Sequence, residues 1–324
     1  MKAIRRSWNR IWFSPFDPLS VSVFRLCLGL LLIVYFIANF PNWERFFAAD
    51  GMLSLSAFAP QRPHISWSLI YHWTEGIVPL GVWWWLGFLA AIGFAVGYQT
   101  RLCTVVLFVL IASMVHRNLM IVNGEDLVFR MLLLYCCFAP LNATLSIDSY
   151  RKRRKAEREG TPFTPTAPTI WAVRLMQINI ALIYAISLPY KLVDDVAWLD
   201  GTAMYWATHS NLWARWPSFP LFYSPFLIKV MTYGTILVEG SFPLLVWFRP
   251  TRLLITIALA SMHIGIAIMM QNVTFFTLAM VCSFWVFVPA PMLRQVGRKV
   301  MGYAYSANDV SGKRHEDMAH HPQP

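Results

Sequence analysis

The stretch from 116 to 130, HRNLMIVNGEDLVFR, concentrates polar side chains between two apolar segments. The side chains in it that could bind a polar group or move a proton are His116, Arg117, Asn118, Asn123, Glu125, Asp126 and Arg130. A charged side chain at the centre of a bilayer costs about 2.5–3.5 kcal/mol on insertion scales, so such clusters usually face a protein interior. Asp126 and Arg130 lie four residues apart, on one helical face, where they can form an ion pair. The stretch is therefore either a functional cluster or a polar turn closed by a structural ion pair.

A second polar stretch, LPYKLVDDVAWLDG at 188–201, follows another apolar segment. Its proline predicts a break or kink that would turn Lys191 toward the mouth of a helix bundle. Lys191 could act as a base only after losing its proton, and burial or nearby positive charge would favour that loss. His116 and Arg117 could supply such charge, whereas the acids at 194–195 would oppose the loss. The alternative is a lysine that reaches the interface from a helix end and is balanced by those acids.

Glu239 and His263 are isolated polar residues in long apolar segments, and Lys229 lies ten residues before Glu239. A glutamate at mid-membrane depth must be neutral, hydrogen-bonded or paired across the bundle. Either residue alone is more often structural than functional. Together with the first polar stretch they predict one polar cavity that opens outward. Its expected lining is His116, Arg130, Glu239 and His263.

The composition indicates that these residues belong to a membrane protein. Of 324 residues, 57% are hydrophobic and only 13% are charged, whereas soluble proteins have about 25% charged residues. A soluble fold could not bury so much apolar surface. Because the apolar segments follow one another with short connections, we expect a single all-α helical bundle rather than two soluble domains.

Eight apolar segments are long enough, or nearly so, to cross a hydrocarbon layer of about 30 Å, which takes roughly 20 helical residues. We place them at 19–40, 77–96, 102–119, 126–140, 169–190, 224–247, 252–270 and 273–289. The first is too long for a signal peptide and should remain in the protein. The polar and aromatic outer loops predict short interfacial helices. The expected organisation is an interfacial segment at 1–16, a transmembrane domain at 17–290 containing a flexible basic linker at 146–168, and a disordered tail at 291–324.

Lys and Arg are distributed asymmetrically among the predicted loops. Of 27 such residues, 18 fall in inner loops and termini if the N-terminus is cytoplasmic, and five fall in outer loops. This bias predicts that both termini are cytoplasmic in a multi-pass protein of the cell membrane, such as a bacterial inner membrane. The net charge of +11 is then explained by topology and by contact with the lipid bilayer, and no nucleic-acid partner is expected.

Other polar residues have simpler interpretations. Arg25 should snorkel toward the inner surface or pair with Asp17. His64 and His72 are eight residues apart, which is no recognised ligand spacing, so we predict no metal site. The five cysteines are scattered through apolar segments and make no disulfide framework.

Seven stretches, in this order, resemble the HTTM family, the horizontally transferred transmembrane domain shared with vitamin K-dependent gamma-carboxylases. They are FRLCLGLLL, AADGMLS, GYQTR, HRNLMIVNGEDLVFR, YKLVDDVAWLDGTAMY, LVEGSFPLL and HIGIAIMMQNVTFF. The resemblance runs from about Asp17 to Pro289, and the order of several motifs is more specific than any one of them.

The resemblance implies chemistry on a reduced vitamin K or menaquinol-type quinone. In that family a lysine deprotonates the hydroquinone to start carboxylation of a peptide glutamate, and the matching position is Lys191. The histidine that stabilises the base corresponds to His116. The resemblance and the polar clusters together imply that the quinone is bound by Arg117, Asn118, Asn123, Asp126, Arg130, Glu239 and His263.

Two departures favour a role other than peptide-glutamate carboxylation. The family's carboxylases carry a large C-terminal domain that binds the substrate's propeptide, whereas about 35 residues follow the last predicted span here. Tyr190 also stands where a second lysine usually precedes the matching one. Three hypotheses remain: an enzyme acting on a quinone-like lipid, a quinone- or lipid-binding protein without turnover, and a maturation partner of a secreted peptide, as in the similar sporulation-delaying protein B type.

The predicted topology places position 155 inside the cell and position 195 outside. In a background without the five native cysteines, a membrane-impermeant maleimide applied to intact cells should modify Asp195→Cys and leave Lys155→Cys unmodified. Labelling of Lys155→Cys with protection of Asp195→Cys would show that the predicted topology is wrong.

Overall fold

The protein is all-helical in a computed structural model that describes residues 2–58, 67–70, 78–163, 168–193 and 195–301. Within these residues there is no β-strand, only two isolated bridges that join Pro15 to Thr169 and Ala214 to Met270. The helices are α1 (Lys2–Trp12), α2 (Leu19–Asn39), α3 (Trp43–Phe47), α4 (Leu55–Phe58), α5 (Leu80–Val96), α6 (Thr100–Arg117), α7 (Gly124–Cys136), α8 (Ile147–Arg158), α9 (Trp171–Val193), α10 (Val196–Leu199), α11 (Ala203–His209), α12 (Pro225–Leu245), α13 (Arg249–Met269), α14 (Thr274–Ser283) and α15 (Ala290–Met301).

Four helical segments of the described chain are long and apolar enough to cross a membrane: Leu19–Phe47, Thr100–Arg117, Trp171–Val193 and Arg249–Met269. A fifth is possible if Thr274–Phe287 and Ala290–Arg298, which meet at 99°, form one broken span. Each of the eight predicted segments contains a helix, although α5 is short and α7 ends four residues before the predicted boundary at 140. The all-α prediction is confirmed, while the count of eight and the orientation stay predictions.

Large apolar side chains on the outside of the bundle agree with a lipid environment. Leu237 and Leu244 on α12 and Leu254 on α13 are 71%, 68% and 72% exposed. Exposed apolar surface on this scale is unfavourable in water and marks contact with another apolar phase or a partner. Lipid is the simplest such phase for helices of this length and composition.

Helix α2 packs at the centre of the bundle. Phe24, Leu28, Leu32 and Phe36 recur every four residues and are fully buried, as expected for one face of a helix. Gly29 brings this face close to α5, because a Cβ at Gly29 would lie 2.6 Å from the Cα atom of Ala95. Small residues at such crossings let helix backbones approach closely, which is how apolar helices gain packing energy in lipid.

Arg25 neither snorkels nor pairs with Asp17. Its side chain is fully buried, and its guanidinium donates hydrogen bonds to the Phe94 carbonyl (3.1 Å) and to the Leu145 carbonyl. Asp17 instead accepts from Arg294 of α15 at 2.7 and 2.9 Å. The prediction for Arg25 was wrong because its guanidinium reaches two backbone carbonyls inside the bundle, that of Phe94 near the end of α5 and that of Leu145 in the loop before α8.

The charge run RKRRKAER lies in a helix, α8, where a flexible linker was expected. Ser146 caps it by accepting from the Ser149 N–H (3.0 Å), and Asp148 accepts from the backbone N–H groups of Gln99 (2.9 Å) and Thr100 (3.0 Å). Burial raises the pKa of Asp148, but these bonds and one from the Thr100 hydroxyl outweigh burial and hold the pKa below its usual value. Asp148 is therefore an anion fixed at the start of α6.

The expected N-terminal interfacial segment at 1–16 contains helix α1, Lys2–Trp12. Short helices also occur in the predicted outer loops, as α3, α4, α10 and α11. The predicted tail at 291–324 begins inside α15, and its remainder from 302 lies outside the described residues.

Two glycines with left-handed backbones provide a matched test of the Arg25 contact. Gly97 (φ +71°) and Gly160 (φ +64°) both follow helices, but a Cβ at Gly97 would overlap Arg25 at 2.0 Å, whereas Gly160 faces open space. Gly160→Ala should cost about 1–2 kcal/mol of stability from backbone strain alone. Gly97→Ala should cost about 2–4 kcal/mol, because it also displaces a buried guanidinium from its carbonyls. Thermal unfolding in detergent measures both, and equal losses would contradict the role given to Arg25.

Candidate functional site

Lys191 and Glu239 form an ion pair between α9 and α12. The side chains are 21% and 9% exposed, so the pair is largely enclosed. The ammonium also lies over the Trp198 ring, 4.5 Å from its centroid, and Ser187 donates to the same carboxylate oxygen at 3.4 Å. Lys191 is thus held by an anion and an aromatic face.

Helix α9 continues through Pro189 to Val193, so the predicted break is absent. Lys191 points inward because it shares a helical face with Tyr184 and Ser187, at spacings of i, i+3 and i+7. Asp195 caps the next short helix by accepting from the Ala197 N–H (2.9 Å) and forms no ion pair within the described chain. Asp194 lies outside the described residues.

His263 of α13 is buried beside this ion pair. Its Nε2 atom is hydrogen-bonded to the Tyr184 hydroxyl at 2.7 Å, while Nδ1 is buried without a hydrogen-bond partner among the described residues. We call this group the interior cluster. Its members are Tyr184, Ser187, Lys191, Glu239 and His263.

Aromatic rings close the interior cluster on one side. Tyr184 contacts Phe242 with ring centroids 5.2 Å apart, and His263 contacts Phe276 and Phe284 at 6.0 and 5.8 Å. Such walls lower the local dielectric constant and strengthen every charge interaction inside them. The interior cluster is therefore a set of ionisable and hydroxyl side chains bordered by aromatic rings.

His116 and Arg130 form a separate pair on α6 and α7. His116 Nε2 and Arg130 Nη1 are 3.3 Å apart, and His116 Nδ1 is 2.8 Å from the Trp67 carbonyl oxygen. Since the guanidinium can only donate, Nε2 accepts and Nδ1–H donates to Trp67. Both residues are half-buried, and no hydrogen bond or ion pair joins them to the interior cluster in the described part of the chain.

Arg117 and Asn118 hold the loop after α3. Arg117 is fully buried and donates to the carbonyls of Leu53 (3.0 Å) and Ala48, and the Asn118 amide donates to the Phe46 carbonyl (2.8 Å). Buried carbonyls need such donors. Arg117 and Asn118 were both predicted to bind the quinone, but the contacts they make stabilise the loop after α3.

Asp126 is not paired with Arg130. One of its oxygens accepts from the Tyr35 hydroxyl (2.6 Å) and the other from the Asn123 N–H (3.0 Å), which forms a capping box at the start of α7. A carboxylate at this position also complements the helix dipole. Asp126 and Arg130 do lie one helical turn apart, but the side-chain hydrogen-bond partner of Asp126 is Tyr35, a buried residue of α2.

A cavity of about 520 Å³ lies among α2, α6 and α7. Its lining includes Tyr35, Asn118, Asn123, Glu125 and Asp126, together with aromatic residues such as Phe47 and Phe275. It is not lined by His116, Arg130, Glu239 or His263. The predicted polar residues thus lie in separate groups, and this cavity is not the single one that was expected.

Sequence reasoning missed Tyr35, Tyr184, Ser187 and Trp198. Tyr184 and Ser187 could have been found from their helical spacing to Lys191, whereas Tyr35 and Trp198 become partners only through tertiary packing. Among the described residues, no group of three or more His, Cys, Asp and Glu could hold a metal ion. His64 and His72 lie outside that part of the chain.

Removing one partner of the enclosed ion pair should cost far more stability than removing one partner of a surface pair. Glu239→Ala leaves the Lys191 ammonium without its anion and should cost about 2–3 kcal/mol, less than the roughly 3–5 kcal/mol of a fully buried pair because Lys191 is partly exposed. The matched control, Glu157→Ala, breaks the exposed pair with Arg153 (3.2 Å) and should cost under about 0.5 kcal/mol. Lys191→Met/Glu239→Leu should recover most of the loss, since it removes both charges together.

Thermal unfolding of the purified variants in detergent makes this comparison. If Glu239→Ala and Glu157→Ala were equally stable, Lys191 and Glu239 would not form an enclosed pair.

The chain matches no known family model, no curated protein and no solved structure. The relation to the HTTM family therefore stays a resemblance carried by the seven sequence stretches.

Proposed function

We propose that this is an integral membrane protein whose interior cluster transfers protons to and from a reduced quinone-like lipid. The observation that carries the proposal is the enclosed Lys191–Glu239 ion pair beside the Tyr184–His263 hydrogen bond. Buried pairs of this kind contribute little net stability compared with apolar residues of the same volume. Ionisable side chains enclosed among apolar membrane helices are usually functional, which favours a chemical role over a purely structural one.

Lys191 must be neutral to act as a base, and the ion pair provides a way for it to lose its proton. Transfer of one proton from Lys191 Nζ to the Glu239 carboxylate leaves an amine and a carboxylic acid, both uncharged. An apolar enclosure disfavours charged forms, so it narrows the free-energy difference between the ionic and neutral pairs. The Lys191 amine then accepts a proton from a hydroxyl group of the bound lipid, which leaves an ammonium, a quinolate anion and a protonated Glu239. Glu239 then releases its proton to solvent, which restores the ion pair.

The donor set fits a reduced quinone, which supplies acidic phenolic hydroxyl groups and two oxygens for hydrogen bonds. The His263 Nδ1 atom, which has no hydrogen-bond partner among the described residues, and the Ser187 hydroxyl can bind such oxygens. The aromatic wall of Phe276 and Phe284 suits an apolar ring. The contacts of His263 support it as the histidine that acts together with Lys191. Only the sequence resemblance supports His116 in that role.

Binding without turnover is a second candidate function. The 520 Å³ cavity near Asn123 and Asp126 has polar and aromatic lining and is separate from Lys191. A cavity of this size is in the range that holds small ligands. It would suit a quinone, another lipid or a side chain of a secreted peptide.

Removing the ion pair tests the proposed chemistry. Lys191→Met/Glu239→Leu should stay folded yet lower any menaquinol-dependent turnover by about 10²–10⁴-fold, the usual contribution of a general acid–base group. Lys229→Met, which removes an exposed lysine from α12, is the control and should keep full activity. The measurement is mass spectrometry of co-extracted isoprenoid quinones and of the products formed from added menaquinol.

Unchanged turnover in the double variant would remove Lys191 and Glu239 from the chemistry. Failure of the wild-type protein to retain or convert any quinone would favour binding of a different ligand.

A further inference from the structure

A second cavity, of about 730 Å³, lies between the start of α6 and the basic helix α8. Six basic side chains line it and Asp148 is its one acidic lining residue. The basic residues are Arg101, Arg151, Lys152, Arg154, Lys155 and Arg158. We call this the basic cavity.

The basic residues of α8 are arranged as one helical stripe. Arg151, Arg154, Lys155 and Arg158 follow the spacing i, i+3, i+4 and i+7, which places them on a single face. Like charges at these spacings repel one another. Arg153, on another face, is already paired with Glu157 at 3.2 Å. The stripe therefore concentrates positive charge toward the cavity instead of spreading it around the helix.

Little of this charge is neutralised within the protein. Lys155 pairs with Glu159 at 3.7 Å, but in the described part of the chain Arg101, Arg151, Lys152, Arg154 and Arg158 form no ion pair. Asp148 is occupied by the backbone N–H groups that begin α6. An anionic ligand would thus meet five guanidinium and ammonium groups that form no ion pair among the described residues, with Asp148 as the one carboxylate in the lining.

The basic cavity is held in shape by the same contacts that hold α8. The Asp148 N–H donates to the Gly97 carbonyl (2.9 Å), and the Arg151 guanidinium lies over the Tyr98 ring, 5.5 Å from its centroid. Both Gly97 and Tyr98 belong to the turn that precedes α6. The charged face is therefore fixed relative to a candidate membrane-spanning helix.

Apolar residues at the edge of the cavity point to a lipid. Leu102 lines the cavity on the first turn of α6 and is 61% exposed, and Tyr150 of α8, also in the lining, is exposed. A basic cavity at the end of a membrane-spanning helix lies at headgroup depth, where anionic phosphates are concentrated. Arginine is suited to phosphate because its fork-shaped donors match two phosphate oxygens.

We propose that the basic cavity binds the phosphate of an anionic lipid headgroup, with the lipid's acyl chains against Leu102. This site is separate from the interior cluster, so its test does not depend on the proposed quinone chemistry. The lipid would fix the end of α6 at the membrane surface.

The test uses the purified full chain in neutral detergent and native mass spectrometry with three probes: short-chain phosphatidylglycerol, short-chain phosphatidylcholine and inorganic diphosphate. Phosphatidylglycerol should bind at least about tenfold more tightly than phosphatidylcholine, and Arg151→Gln/Arg154→Gln should weaken its binding by about thirtyfold. The control Arg10→Gln/Arg153→Gln removes the same net charge outside the cavity and should bind normally. Thermal unfolding establishes that both variants are folded.

Equal weakening in the two double variants would overturn the proposal, because net charge alone would then explain binding. Complete displacement of phosphatidylglycerol by an equal concentration of inorganic diphosphate would also overturn it, since the site would then recognise free phosphate rather than a lipid.

Discussion

A charged side chain inside an apolar helix bundle must find its partner within the protein, because neither lipid nor packed hydrocarbon can solvate it. Three buried charged residues of the described chain obey that constraint. Arg25 and Arg117 donate to backbone carbonyls of neighbouring loops, and Asp126 accepts from a tyrosine and a helix terminus. These contacts fix where α2, α5, α6 and α7 meet, so the architecture of the bundle depends on them.

The Lys191–Glu239 pair differs from those contacts in its chemistry. A guanidinium bonded to a carbonyl has no nearby base that could take its proton, and arginine stays charged in proteins. An ammonium bonded to a carboxylate has both a donor and an acceptor that titrate, and it sits beside a histidine and a tyrosine. Because buried charges must find partners within the protein, Arg25 has a structural role with its carbonyls. The same need places Lys191 against Glu239, the pair best suited to proton transfer.

The helices could be predicted from sequence because hydrophobic periodicity and length are local properties, and each of the eight predicted segments contains a helix. The polar residues that matter were also visible, since Lys191, Glu239 and His263 stand out against apolar surroundings. Their partners were not visible. Asp126 meets Tyr35 across 91 positions, Asp17 meets Arg294 across 277, and Lys191 meets Glu239 across 48. Such contacts depend on which helix faces pack together, and the spacing of residues within one segment contains no information about that.

We propose that Glu239 exchanges a proton with Lys191 when a quinol binds. Infrared difference spectroscopy of the purified protein with and without menaquinol tests it directly, because the carbonyl stretch of a carboxylic acid is separate from the bands of a carboxylate. The claim predicts a menaquinol-dependent change in the carboxylic acid band that is absent in Glu239→Gln. Menaquinol binding without any Glu239-dependent change in that band would contradict it.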